Sequence, residues 1–314
     1  MSFDVRPWQP GDEAAILALF RDSYGKDLSE ATWTWRFATA AAGPGVIVLA
    51  WDGPRLAAHY AVTAVQLSVD GADVACGLSG TTMTHPDYRG VGLFPRLAEA
   101  TYAAMHARGM QLVWGFPNDL SHRGFVEDLG WKDIYEIPTL RATLPLRRAV
   151  DGDAAVREET HLDGDFDALW QVARRRYRMV GRRDARALRW RYIDNPGDRY
   201  RLLALRDASG LGGYAVIKRY QQELHVIDLL ARDDASEARL ARTAIAVAQS
   251  EGAASVSLWL APHRPLHGEL ERLGFRNDKP VTYFGARAFD PTVDRTIVED
   301  YRSWHVMMGD SDVY

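Results

Sequence analysis

Residues 79–94 read Ser79-Gly80-Thr81-Thr82-Met83-Thr84-His85-Pro86-Asp87-Tyr88-Arg89-Gly90-Val91-Gly92-Leu93-Phe94. The β-branched residues of Thr81–Thr84 favour an extended strand, and Pro86, which fixes φ and has no N–H, ends it. Gly90 and Gly92 permit a tight turn and a close approach of backbone to ligand. From Leu93, the apolar residues Leu97, Ala100, Ala104 and Met105 recur at helical spacing, so a helix starts there. A strand, a glycine turn and a helix N-terminus in succession present several unpaired backbone N–H groups. The helix dipole adds positive potential at the same point, which makes this a pyrophosphate-binding arrangement.

Working outward, the chain reads as two copies of one plan. Trp35-Arg36-Phe37 is answered by Trp190-Arg191-Tyr192. Each is followed by an apolar strand, a turn and a second strand: Val46–Trp51, Asp52-Gly53 and Tyr60-Ala61-Val62 in the first copy. The second copy has Leu202–Leu205, Ser209-Gly210 and Tyr214-Ala215-Val216. Both pairs have the alternation and turn chemistry of a β-hairpin. Further on, Leu129-Gly130-Trp131 is matched by Leu273-Gly274-Phe275, each after a strand (Gln111–Phe116, Ser255–Leu260) and a short helix. The expected fold class is α/β (α+β), with a central mixed sheet flanked by helices in each of two tandem domains. The boundaries expected are 1–147, a polar linker at 148–164, and 165–314. A groove between the two domains is the default place for a substrate.

The run His85-Pro-x-Tyr-Arg-Gly-x-Gly-Leu93 resembles the acetyl-CoA loop of the GNAT superfamily of N-acyltransferases, usually Arg-x-x-Gly-x-Gly/Ala after a strand. Arg89 and Gly92 match; Phe94 stands where a small residue is usual, a departure shared with a subgroup of larger, partly tandem GNAT-like proteins. The likeness continues through the next strand, Gln111–Phe116, which ends in Pro117-Asn118, and through a helix over 120–129 closed by Gly130-Trp131. It implies an acyl-CoA co-substrate, acetyl-CoA or another, and no metal. The contacts it implies are Thr82, Met83, Thr84, Arg89, Gly90, Val91, Gly92, Leu93, Phe94, Asn118 and Ser121. Asn118 equally suits a helix cap. The second half reads Ala231-Arg232-Asp233-Asp234-Ala235-Ser236-Glu237 where its loop would be, without glycine and with acids that would repel phosphate. It is expected to shape the acceptor site instead.

The reaction implied is direct attack of a primary amine on the thioester in a ternary complex, which needs a base, oxyanion stabilisation and an acid for the thiolate. Many members use a tyrosine four residues before the glycine of the Gly-Phe pair; here that place is Val126. His85 beside the loop, and Asp310 and Asp312 near the C-terminus, are the candidates for proton transfer. The alternative for His85 is a cap on the strand end, and for the aspartates a solvated tail. A non-catalytic acyl-CoA-binding regulatory module is a second reading, supported by the missing tyrosine. A Fem-type aminoacyl transferase is a third, disfavoured by the intact Arg89–Gly92 loop.

At 314 residues, 47% hydrophobic and 25% charged, the chain suits two soluble domains. The net charge of −4 gives no general reason to expect nucleic acid or membrane as partner. No apolar run approaches the roughly 18 residues of a membrane span, and the start of the sequence lacks a secretory pattern, so a cytoplasmic protein is expected. The lone Cys76 excludes an intramolecular disulfide. Internal duplication makes a monomer plausible, with a homodimer as the alternative. Arg174–Arg191 holds nine arginines against one acid, Asp184. Guanidinium groups clamp phosphate, so this run suggests an amino sugar or nucleotide-linked amino sugar as the acceptor.

Overall fold

The computed structural model describes residues 2–312. The first half comprises strands β1 (Asp4–Pro7), β2 (Val46–Asp52), β3 (Arg55–Val69), β4 (Ala72–Thr84), β5 (Leu112–Gly115) and β6 (Lys132–Thr143). Its helices are α1 (Glu13–Tyr24), α2 (Glu30–Trp33), α3 (Leu93–Ala107) and α4 (His122–Glu127). The second half adds β7 (Val156–Glu159), α5 (Gly164–Ala173), β8 (Met179–Gly181), α6 (Ala185–Leu188), β9 (Arg201–Asp207) and β10 (Gly210–Tyr220). It continues with β11 (Glu223–Ala231), α7 (Asp234–Ser250), β12 (Ser255–Leu258), α8 (Pro265–Leu273), β13 (Arg276–Ala288), α9 (Arg295–Val298) and β14 (Trp304–His305).

All these strands join one mixed sheet, ordered β1-β2-β3-β4-β5-β13-β6-β12-β11-β10-β9-β7, with β8 and β14 branching from β3. The expected hairpins are β2–β3 and β9–β10, both antiparallel. Val46–Ala50 is buried on both faces, as an uninterrupted apolar run requires. Helix α3 turns Leu93, Leu97, Ala98, Thr101, Tyr102 and Met105 inward, onto a core shared with β2 and β3. The sequence pairs Trp35-Arg36-Phe37 and Trp190-Arg191-Tyr192 fall on two π-helical turns, Thr34–Ala38 and Arg189–Ile193.

Two features differ from the sequence-based expectation. The polar stretch 148–164 is not a bare linker: β7 pairs with β9 at the sheet edge, and Val150 and Val156 are buried in the core that covers α7. Three widely spaced apolar side chains anchor it, Val150, Val156 and Leu162, too few to register as periodicity. The halves also interleave. Strand β13 lies between β5 and β6, and β6 lies between β13 and β12. A chain boundary near residue 147 therefore does not divide the sheet.

Candidate active site between the two halves

Strands β4 and β5 are parallel and pair only from Cys76↔Leu112 to Ser79↔Gly115. Beyond Ser79, β4 runs on without a partner on that side, which opens a cleft of about 800 Å³. Gly115 marks the parting point, since a Cβ there would meet the Ser79 carbonyl at 3.1 Å. Thr82, Met83 and Thr84 form one wall; Arg89, Gly90, Gly92, Leu93 and Phe94 form the end; Asn118 and Ser121 lie opposite. Of the expected contacts only Val91 lies outside this lining, pointing to solvent at 50% exposure. Gly90 and Gly92 both have φ of +78°, a left-handed conformation that disfavours side chains, with open space where a Cβ would stand.

These residues fit a diphosphate well. Gly92 is the N-cap of α3 and offers no side-chain cap, so the first-turn N–H groups face the cleft end. The Arg89 side chain is exposed and lines the cleft, with no ion-pair or hydrogen-bond partner among the described residues. Phe94 turns inward instead, packing edge-on against Phe125 at 5.2 Å and lying where a Cβ on Gly124 would be. Asn118 is a cap: its Oδ1 accepts from the backbone N–H of Leu120 and Ser121, at 3.1 and 3.0 Å.

The middle of β4 is not regular strand. Thr81 has φ +59°, and the register slips so that Thr81 and Thr82 bulge from the pairing with β3. Such strain persists only where surroundings hold it. Two side chains absent from the sequence-based set do so. The His59 ring donates from Nδ1 to the Thr81 carbonyl at 2.8 Å, and the Tyr24 hydroxyl donates to the Thr82 carbonyl at 2.9 Å. Burial pushes His59 down to about 4, so the ring is neutral and its tautomer is set by this bond. Burial and then the Asp312 carboxylate push Tyr24 up, so it keeps its proton. Arg36 lies against Gly80, where any Cβ would overlap its guanidinium, and pairs with Asp312 at 3.2 Å. Nothing in the local sequence around Tyr24 or His59 marks them, because their partners are remote along the chain; Arg36 stood out only as part of the repeated Trp35-Arg36-Phe37.

The candidates for proton transfer separate. Asp312 lines the cofactor cleft and also a second cavity between the halves. Asp310 lines only the second, and its carboxylate is held by Arg183 at 2.6 Å and by the Met307 N–H at 2.8 Å. Arg183 also grips Asp228, at 3.0 Å, in the same buried cluster. Burial raises the Asp310 carboxyl against the pull of Arg183. His85 does not line the cleft. It caps the turn at Pro86–Tyr88, accepting the Asp87 N–H at Nδ1 (3.1 Å), while Arg55 sits 2.9 Å from Nε2. A base must reach the reacting nitrogen, so this geometry gives His85 the capping role and Asp310 a structural one. His122 is likewise engaged, with Asp133 at 2.7 Å and stacked on Tyr283.

The second cavity, about 360 Å³, lies between Trp35, Arg36 and residues 63–66 on one side and residues 181–192 and 309–312 on the other. Trp35 and Trp190 stack at 5.1 Å, each indole donating to the other's backbone carbonyl, at 2.7 and 3.0 Å. The arginine run is not an open anion clamp. Arg174 pairs with Asp73 and Ser68, Arg178 with Asp70, Arg176 with Asp234 and Glu237, and Arg182 with Asp184. A carboxylate on the folded chain outcompetes a ligand at no cost in association entropy, so most of these guanidinium groups fasten one half to the other or pin elements within the second.

The gap in the second half that would correspond to the cofactor cleft is filled. Pairing of β11 with β12 ends at Val226↔Leu258 while β11 runs on to Ala231. His305 stacks on Tyr177 at 4.2 Å and reaches the Leu229 carbonyl at 3.0 Å. Glu237, buried in the first turn of α7, pairs with Arg264 at 2.8 Å.

A parting of parallel strands, a bulge beside it and a glycine turn at a helix start define the GNAT fold. Residues 4–134 match the family model of the acetyltransferase (GNAT) domain. Solved structures with the same fold include a GCN5-related N-acetyltransferase from Kribbella flavida, at TM-score 0.68 and 18% identity, covering 92% of this chain and 71% of that one. Another from Anabaena variabilis has TM-score 0.71 and 12% identity, covering 91% and 73%. A conserved protein of Enterococcus faecalis V583 has TM-score 0.71 and 12% identity, covering 95% and 73%. No curated protein sequence matches the chain.

Proposed function

We propose that the chain is an acyl-CoA-dependent N-acyltransferase whose second half, a degenerate copy of the first, encloses the acceptor amine. One observation carries this: the cofactor cleft and the inter-half cavity meet at a single carboxylate, Asp312. A bisubstrate reaction needs two pockets that share one reacting point.

Acyl-CoA, acetyl-CoA being the simplest, supplies a thioester carbonyl at the β4 bulge. Arg89 and the backbone of Gly90–Leu93 hold the diphosphate, and the unpartnered edge of Thr82–Thr84 holds the arm. The acceptor amine arrives through the inter-half cavity, and Asp312 takes its proton; Asp312 Oδ1 has no partner among the described residues. The N–C bond forms as the C–S bond breaks, and Tyr24, kept protonated, gives its proton to the departing thiolate. Tyr24 thus supplies the hydroxyl missing at Val126. A nucleotide-linked amino sugar loses much of its support, since most of the arginines that suggested it are paired within the chain. A cytoplasmic setting suits an acyl-CoA user, and no described helix is long and apolar enough to cross a membrane.

Calorimetry with acetyl-CoA should show saturable binding. Gly92→Glu should abolish it, because the carboxylate would both strain a left-handed backbone and repel phosphate. Asp312→Asn should keep that binding but lower kcat about a hundredfold. Binding without thiol release across a panel of amines would instead favour the regulatory module suggested by Val126.

A further inference from the structure

Resting on the transferase reading, we propose that the acceptor is an amine carried on a compact apolar body, an arylalkylamine, and not a polyhydroxylated amino sugar. The cavity that leads to Asp312 has walls of Trp35, Trp190, Val65, Leu78, Trp114 and Leu188. The Trp35–Trp190 wall is rigid, since each ring is fixed by the other's backbone. Aromatic walls of this kind favour a flat apolar group.

Most charged groups of the cavity are engaged with one another, while Thr63 Oγ1 and Trp114 Nε1 are buried there without a hydrogen-bond partner among the described residues. Arg183 is closed by Asp228 and Asp310, Arg182 by Gln66 and Asp184, and Arg191 reaches the carbonyls of Gly309 and Ser311 at 2.8 and 2.6 Å. Most hydroxyls of a sugar entering here would lose water without gaining a partner, which weakens binding. Arg186 also lines the cavity and is exposed to water. Of the cavity's carboxylates, Asp184, Asp228 and Asp310 are closed by Arg182 and Arg183, which leaves Asp312, held by Arg36 at 3.2 Å, to take one ammonium group. An amine on an apolar stem meets both conditions: its charge reaches Asp312, and its body covers the tryptophans.

The experiment compares phenethylamine and tryptamine with glucosamine and UDP-glucosamine, using the full chain, acetyl-CoA and thiol release. The expected result is a kcat/KM for the arylalkylamines about tenfold or more above either sugar. Equal or better turnover of a sugar overturns the inference while leaving the transferase reading intact. Acetyl-CoA binding with no amine consumed overturns the transferase reading, and the inference falls with it. Ala187→Phe narrows the cavity from a half-buried helical position. It should raise KM for phenethylamine about tenfold with the Kd for acetyl-CoA unchanged. An unchanged KM would mean that the amine binds elsewhere.

Discussion

Thr81 is a β-branched residue in a left-handed conformation, and the contacts of its carbonyl explain how that is sustained. His59 reaches it from the neighbouring strand with a neutral ring, fully buried. Replacing His59 by Ala should relax the bulge and lower kcat about tenfold or more, while His59→Asn, which keeps a donor, should recover much of it. Steady-state kinetics on both variants decides this. The same burial sets an acid limit. The folded ring titrates near 4 against an ordinary 6.5, so between those values the unfolded chain binds the extra proton. Stability is complete above about pH 6.5 and declines as pH falls towards 4, by up to about 3 kcal/mol for this one group. Burial also lowers His225 and His305, which adds to the trend in the same direction. Urea unfolding at several pH values should show the decline, less steep in His59→Asn.

At the scale of elements, the turn at Met308–Asp310 decides where Asp312 lies. Arg191 holds two of its carbonyls with one planar fork, which a lysine cannot span. Arg191→Lys should therefore lower kcat several-fold with little change in Tm or in acetyl-CoA affinity. Arg183→Met is the harsher change. It leaves Asp228 and Asp310 buried without their cation and should cost about 3–5 kcal/mol, measurable by chemical denaturation. The paired arginines show why composition misled at this scale. A run of like charges reads as a ligand clamp until its partners, spread from Asp70 to Glu237, are brought beside it.

Across the whole molecule, the exchange of β6 and β13 makes one half depend on the other. In a fragment of residues 1–147, β6 would lack both neighbours, β13 and β12, leaving its hydrogen-bonding edges open. Such a fragment should be insoluble or protease-sensitive on its own and rescued by co-expression with residues 148–314. A soluble, cooperatively unfolding 1–147 fragment would show instead that the halves fold independently.

The sequence by itself determined the glycine turn, the start of α3 and the two hairpins. Each rests on contiguous residues, whose conformational preferences are written locally in glycine, proline and apolar spacing. The tertiary structure alone decided that Asp310 is locked away by Arg183 and that Tyr24 and His59 support the bulge. Those contacts join residues 22 to 127 positions apart. No local pattern encodes such pairs, because a side chain's partner is fixed by how the sheet closes and not by its neighbours in the chain.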